Sequence, residues 1–211
     1  MLVRPRPPAD LLGADGLVTL TPFRPAHDLA EWLRATFIDE DGPLANEDHS
    51  HLEDAFLGCL WCANGRSSKG NVVVGQAERQ ALQGNAWTKA RQEQQLVEWF
   101  GRVPDFILTF HADYAEQADD AAFCALIEHE LYHCGQERDP YGAPKFRKDG
   151  SPALCIRGHD VEEFVGVVRR YGAGSAAGQT QALVEAANAG PTIAAADIAG
   201  CCGTCGRGIG P

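Results

Sequence analysis

Two histidines and a glutamate set the chemistry available to this chain. Phe123 to Cys134 reads F-C-A-L-I-E-H-E-L-Y-H-C, and within it His129, Glu130 and His133 form H-E-x-x-H around Leu131 and Tyr132. On a helix, residues four apart stand one turn from each other, so the two imidazoles project from the same face. Imidazoles so placed can share one Zn²⁺, and Glu130 then lies beside a metal-bound water whose proton it can take. A helix ending in surface histidines would give the same letters. Here, however, the run is apolar, and a buried helix with two histidines and two glutamates has to account for that polarity. A metal accounts for it.

A catalytic zinc usually takes three protein ligands and keeps one position open. The motif supplies two. His159, preceded by Gly158 for close approach, is the preferred third. Glu163, one helical turn later, is an alternative that would make the site His₂Glu, and Asp160 and Glu162 are others. Glu162 and Glu163 are equally explained as exposed helix charges. The residue that does not bind can hold the ring of the one that does. His111 reads as an ordinary polar residue or a support for a ligand, and Tyr141, Tyr171 and His111 are the candidate oxyanion donors. Tyr132 points away from the two histidines by helical angle.

The elements that must position these groups are readable in part. Ala122, Leu126, Ile127 and Leu131 recur at helical spacing, with Asp119 and Asp120 where a cap and first turn belong. Upstream, Pro104 to His111 alternates as a strand, with Phe106, Leu108 and Phe110 on one face and Ile107 on the other. Strand, short loop, metal-binding helix is the context the motif requires, and the edge of such a strand offers backbone groups to an extended peptide. Helices are expected over Ala26–Ile38, over Thr88–Phe100 with Gly101 as its stop, and over Arg157–Tyr171 with an apolar stripe of Val161, Phe164, Val165 and Val168. Leu17–Phe23 suggests a short strand. Ala55–Ala63 and Asn71–Ala77, separated by the turn signal N-G-R-S-S-K-G, suggest a hairpin. His49 and His51, two residues apart after an acidic turn, read as exposed. Gly135–Leu154 reads as a loop with room for a short hairpin, and a short helix fits Thr180–Ala189.

Composition narrows the setting. The chain has 211 residues, 45% hydrophobic and 22% charged, enough for one domain with a sizeable core. There is no run of eighteen apolar residues, so no membrane span is expected. The start, M-L-V-R-P-R-P-P-A-D, lacks the apolar run of a secretory signal and reads as an extended, poorly ordered segment over residues 1–16. A net charge of −11 argues against a nucleic-acid partner, and Lys145, Arg147 and Lys148 read as a solvated loop. Of the eight cysteines, Cys124, Cys134 and Cys155 read as buried thiols in a reducing compartment. Cys59 and Cys62 form C-x-x-C, but on a strand they would face opposite ways, so core packing is preferred to a redox pair or half a zinc site. Residues 173–211 form an Ala- and Gly-rich tail, and its Cys202 and Cys205 read as oxidisable rather than as a second zinc site.

The runs I-E-H-E-L-Y-H-C, G-A-P-K-F and G-H-D-V-E-E-F-V-G-V-V-R-R-Y-G together resemble the phage metallopeptidases, encoded by phages and prophages, and more distantly the SprT-like zinc proteases. The resemblance covers about Leu17 to Gly172. It implies an α+β class, a small zincin-like fold with a few-stranded sheet packed on helices that include the H-E-x-x-H helix. It implies zinc bound by His129, His133 and His159, with Glu130 as catalytic acid/base. The expected activity is hydrolysis of protein or peptide substrates in the cytoplasm of a bacterial host. The SprT pattern places Phe closer to its third histidine, which keeps Glu163 open. Two rivals remain at this point: a zinc hydrolase of non-peptide amides, and a non-catalytic zinc-stabilised binding module with Cys134 or Cys155 closing the fourth position. Proteolysis of DNA crosslinks, by analogy with the SprT-like group, is disfavoured by the acidic charge.

Overall fold

Alternation along one central strand decides how the layers form. The computed structural model describes residues 3–13, 22–68, 71–161, 165–174 and 178–196. In chain order the elements are β1 (Phe23–Pro25), α1 (His27–Leu33), β2 (Leu57–Cys62), β3 (Arg66–Ser68), β4 (Asn71–Val73), β5 (Gly75–Arg79), α2 (Ala86–Phe100), β6 (Phe106–His111), α3 (Ala112–Gln117), α4 (Asp120–His133), β7 (Cys134–Gln136), β8 (Leu154–Ile156), α5 (Val165–Tyr171) and α6 (Gln179–Ala189). β1, β2, β6 and β5 lie side by side in that order, while β3–β4 and β7–β8 are separate two-stranded pairs. This is an α+β fold around a small mixed sheet: β2 and β6 run parallel, and the two outer strands are antiparallel to their neighbours.

Phe106, Leu108 and Phe110 of β6 face one way. They join Cys59 and Trp61 of β2, Leu29 and Leu33 of α1, and Phe123, Leu126, Ile127 and Leu131 of α4. Ile107 faces the other way and meets Leu60, Leu96 and Phe100 under α2. Each such side chain contributes about 1.5–3 kcal/mol when fully removed from water. Phe123 ties the motif helix to the sheet: its ring lies 6.1 Å from Trp61, 5.9 Å from Phe110 and 6.4 Å from Trp32. α2 begins at Asn85, whose side chain accepts from Thr88 N–H at 3.0 Å, and stops at Gly101 with φ 79°.

Several expectations are corrected. β2 forms no hairpin with the segment that follows; it pairs in parallel with β6, some fifty residues on, while β5 pairs with β6 from the other side. β6 is therefore central and offers no free edge; the outer strands of the sheet are β1 and β5. Residues 3–13 pack rather than trail. Arg4 is buried with its guanidinium 4.5 Å from the Phe123 ring centre and donates to Ala118 O, and Leu11 is in the core. Prolines keep that segment extended, and its side chains anchor it. Among the described residues, the helix expected over Arg157–Tyr171 is present over Val165–Tyr171, where Val165 is 72% exposed, while Arg157–Val161 is irregular. Glu162, Glu163 and Phe164 lie outside the described residues, as do most of Leu17–Phe23 and Cys202 and Cys205. Among the described residues no helix is long and apolar enough to cross a membrane.

Candidate metal centre

α4 is fixed before any ligand is considered. Asp119 caps it, its carboxylate accepting from Ala122 N–H at 2.7 Å, and Phe123, Leu126, Ile127 and Leu131 bury its inner face. His129 and His133 follow from helical spacing on an adjoining face. At the end of α4 the chain enters β7, whose antiparallel partner β8 sets Gly135 opposite Cys155. A methyl at Gly135 would lie 3.0 Å from Arg157 Cβ, so glycine lets the returning strand come close. That strand then delivers Arg157 to the helix end, where its N–H donates to His133 O at 2.9 Å.

Two residues later His159 completes a cluster. His129 Nε2 lies 3.3 Å from His133 Nε2 and 3.4 Å from His159 Nε2, and the ligand atoms of all three lie within 4.8 Å of one another. An ion held tetrahedrally at about 2.0–2.1 Å from each nitrogen would separate them by about 3.3–3.4 Å. The donor set and spacing therefore fit Zn²⁺. His133 Nδ1 donates to Arg157 O at 2.7 Å, which fixes the tautomer and leaves Nε2 with its lone pair. Burial, and then the neighbouring His133 and His159, push the His129 pKa down to about 4. Burial lowers that of His133 as well, against the pull of the Arg157 carbonyl. Imidazoles kept neutral are imidazoles ready to bind a cation.

Glu130 is 0% exposed and packs against β5. A Cβ at Gly75 would come within 2.9 Å of Glu130 Oε1 and 2.8 Å of Leu126 Cδ1. Gly75 thus packs against the candidate site, which its sequence context alone did not single out. A weak signal was there: a lone glycine in N-V-V-V-G-Q-A marks close backbone approach within a strand.

Other candidates fall elsewhere. The Cys134 thiol turns back to Glu130 O at 3.4 Å, and among the described residues the cluster that could hold a metal ion contains the three histidines without Cys134 or Cys155. Cys59 and Cys62 are buried, and the Cys62 thiol donates to Asn64 O at 3.4 Å. Asp160 pairs with Arg157. His111 is buried at the end of β6, its N–H donating to Val74 O. Tyr141 and Tyr171 are exposed. Tyr132 points away as its angle implied: its hydroxyl donates to Asp48 at 2.9 Å and accepts from Asn46 Nδ2 at 3.0 Å.

His49 corrects an expectation. It is 0% exposed, edge-on to Tyr132 with ring centres 4.8 Å apart. It sits on a 3-10 turn, Glu47–Leu52, held to α4 by Asn46, which donates to Glu128 at 2.8 Å. Three residues per turn send side chains two apart in different directions. His49 goes under Tyr132, and His51 Nε2 donates to Cys134 O at 2.7 Å.

No match is found among curated proteins or among solved structures. A family model described as "Putative phage metallopeptidase" matches residues 30–188, from α1 through α6. The matched span covers most of the chain and takes in His129, Glu130, His133 and His159, and the protein therefore belongs to that family of phage metallopeptidases.

Proposed function

We propose that the protein is a zinc-dependent peptidase in which His129, His133 and His159 hold the metal and Glu130 is the general acid/base. The convergence of three Nε2 atoms at 3.3 and 3.4 Å is the observation that carries this reading. Bound there, Zn²⁺ supplies a Lewis acid for the scissile carbonyl and lowers the pKa of water toward ~7. Glu130, adjacent to His129 in sequence and shielded from solvent, takes a proton from the attacking water and passes it to the departing amine. The Arg157 carbonyl holds the His133 ring. β5, outermost in the sheet and in contact with Glu130 through Gly75, is the strand along which an extended peptide lies.

Family membership supports a protein or peptide substrate, with phage or prophage origin and action in the bacterial cytoplasm as the setting that goes with it. The binding-module rival needs a cysteine in the cluster, and among the described residues neither Cys134 nor Cys155 joins it. Metal analysis and peptide hydrolysis by Glu130→Gln test the reading. The variant is expected to keep its zinc and lose about 10²–10⁴-fold in kcat. Hydrolysis unchanged by this substitution would overturn the proposal, and cleavage confined to small non-peptide amides would favour the amide-hydrolase rival.

A further inference from the structure

The outer face of α4 carries a groove that the metal centre does not use. Helical spacing puts Asp120, Ala121, Cys124, Ala125 and Glu128 on one stripe. The middle three are too small to fill the space beside Trp32 and Leu44, and a cavity of about 360 Å³ results, with residues 191–194 as its third wall. Its lining is mostly apolar and within reach of solvent: Leu44, Ala121, Cys124 and Ala125 are half-buried, and Ile193 is 64% exposed. A cavity of this size takes an apolar group out of water.

Its proportions limit what fits. Asp120 and Glu128 are the first and last residues of the wall that α4 supplies, and eight residues of helix set them about 12 Å apart. Spread over that length, the volume leaves a section of about 30 Å², which admits side chains but no helix about 10–12 Å across. An extended chain rises about 3.3 Å per residue, so its residues four apart span a similar distance.

Charge narrows the choice further. Residues 35–65 and 103–137, which supply Leu44 and the α4 wall, contain no lysine or arginine, and neither do residues 171–206 behind the third wall. Asp39, Glu40 and Asp41 instead stand exposed just ahead of Pro43 on the rim. The neighbouring cations are engaged. Arg34 donates to the carbonyls of Leu52, Glu53 and Ala55, and Arg4 meets one oxygen of Asp120 at 3.2 Å, leaving that carboxylate 75% exposed. Glu128 accepts from Asn46, and a carboxylate can accept more than one such bond. An acidic partner is repelled along this rim, whereas a basic one is drawn to it.

We propose that the groove docks an extended apolar segment of a partner protein, with a basic residue at each end of the segment four positions apart. The assignment does not depend on cleavage at the metal centre, and its test needs no turnover. The probe is acetyl-Lys-Ala-Leu-Ala-Lys amide, added to the isotope-labelled full-length protein. Saturable shifts are expected in the backbone signals of Ala121, Cys124 and Ala125. Serine for the central leucine is expected to weaken binding about tenfold or more, because the buried side chain is lost. Glu128→Gln, which can still accept from Asn46, is expected to weaken the lysine peptide about threefold and to flatten its salt dependence. Ala121→Leu fills the groove and is expected to abolish the response at Cys124 and Ala125. Absent shifts at these positions, or equal shifts from the serine peptide or from one with glutamates for lysines, would overturn the proposal. A glutamine-ended peptide that bound as tightly as the lysine one would overturn it too, by assigning the groove to an uncharged apolar ligand.

Discussion

The two halves of the proposed metal centre are built differently. His129 and His133 ride on a helix whose inner face is wholly in the core, so their rings converge through backbone geometry alone. His159 stands on an exposed, irregular segment after a glycine with no neighbouring atom within 4 Å of its missing Cβ. It is brought in by a three-residue strand pairing and by two bonds between Arg157 and His133. The helix half is therefore paid for by folding, whereas the loop half leaves part of its ordering cost to the metal. The difference implies that the two kinds of ligand fail in different ways.

The largest effect is expected from His133→Ala. Structural zinc sites bind with about 10–16 kcal/mol, so one ligand of three is worth on the order of 10³-fold in affinity. This residue also holds Arg157, and the metal-free protein is expected to lose about 1–3 kcal/mol with it. His159→Ala is expected to weaken zinc about 10²-fold while the metal-free protein stays within about 0.5 kcal/mol of the original. Zinc titration and thermal melts of both metal-free variants check the pair. Equal destabilisation by the two substitutions would break the contrast.

The same contrast governs what the sequence discloses. The helix half is legible because its information is local: spacing puts the histidines together, Asp119 caps as its type suggests, and β6 divides its faces as alternation requires. The rest depends on partners distant in the chain. Parallel pairing of β2 with β6 leaves no local mark, and His49 is buried by Tyr132 from more than eighty residues away. The stripe Val161, Phe164, Val165 and Val168 has helical period, but period does not supply a surface to bury against, and Val165 stays exposed. His159 could be singled out as a residue type yet not preferred on geometry, because a β7–β8 pairing across a seventeen-residue excursion sets its position.

Gly75 sharpens the contrast within the helix half. A methyl there must displace Glu130 Oε1 or Leu126 Cδ1, from which it would lie 2.9 and 2.8 Å away. Since displacement of a reacting group by about 1 Å can cost about 10²-fold, Gly75→Ala is expected to lower kcat by about 10–10². Zinc affinity is expected to stay unchanged, because the atoms nearest the added methyl belong to Leu126 and Glu130 rather than to either helix histidine. Paired kcat and zinc measurements decide it, and a parallel loss of zinc would mean that α4 itself had moved.

A further effect is one of pH, and it concerns a ring packed on the helix side. His49 titrates near 6.5 when unfolded and near 4 when folded, because burial disfavours its charged form. As pH falls through 6.5 the unfolded chain takes up a proton that the folded protein refuses. Stability is therefore fully present above 6.5, declines through the window, and bottoms out near 4, by about 3 kcal/mol from this residue. His129, held near 4 by burial and its two neighbours, acts in the same direction. Urea unfolding of the metal-free protein at a series of pH values between 7 and 4 measures the sum, and a folded His49→Leu variant should show a shallower decline. If that variant followed the original curve, His49 would have to reach solvent in the folded state, and the rigid packing ascribed to the helix side of the centre would not hold.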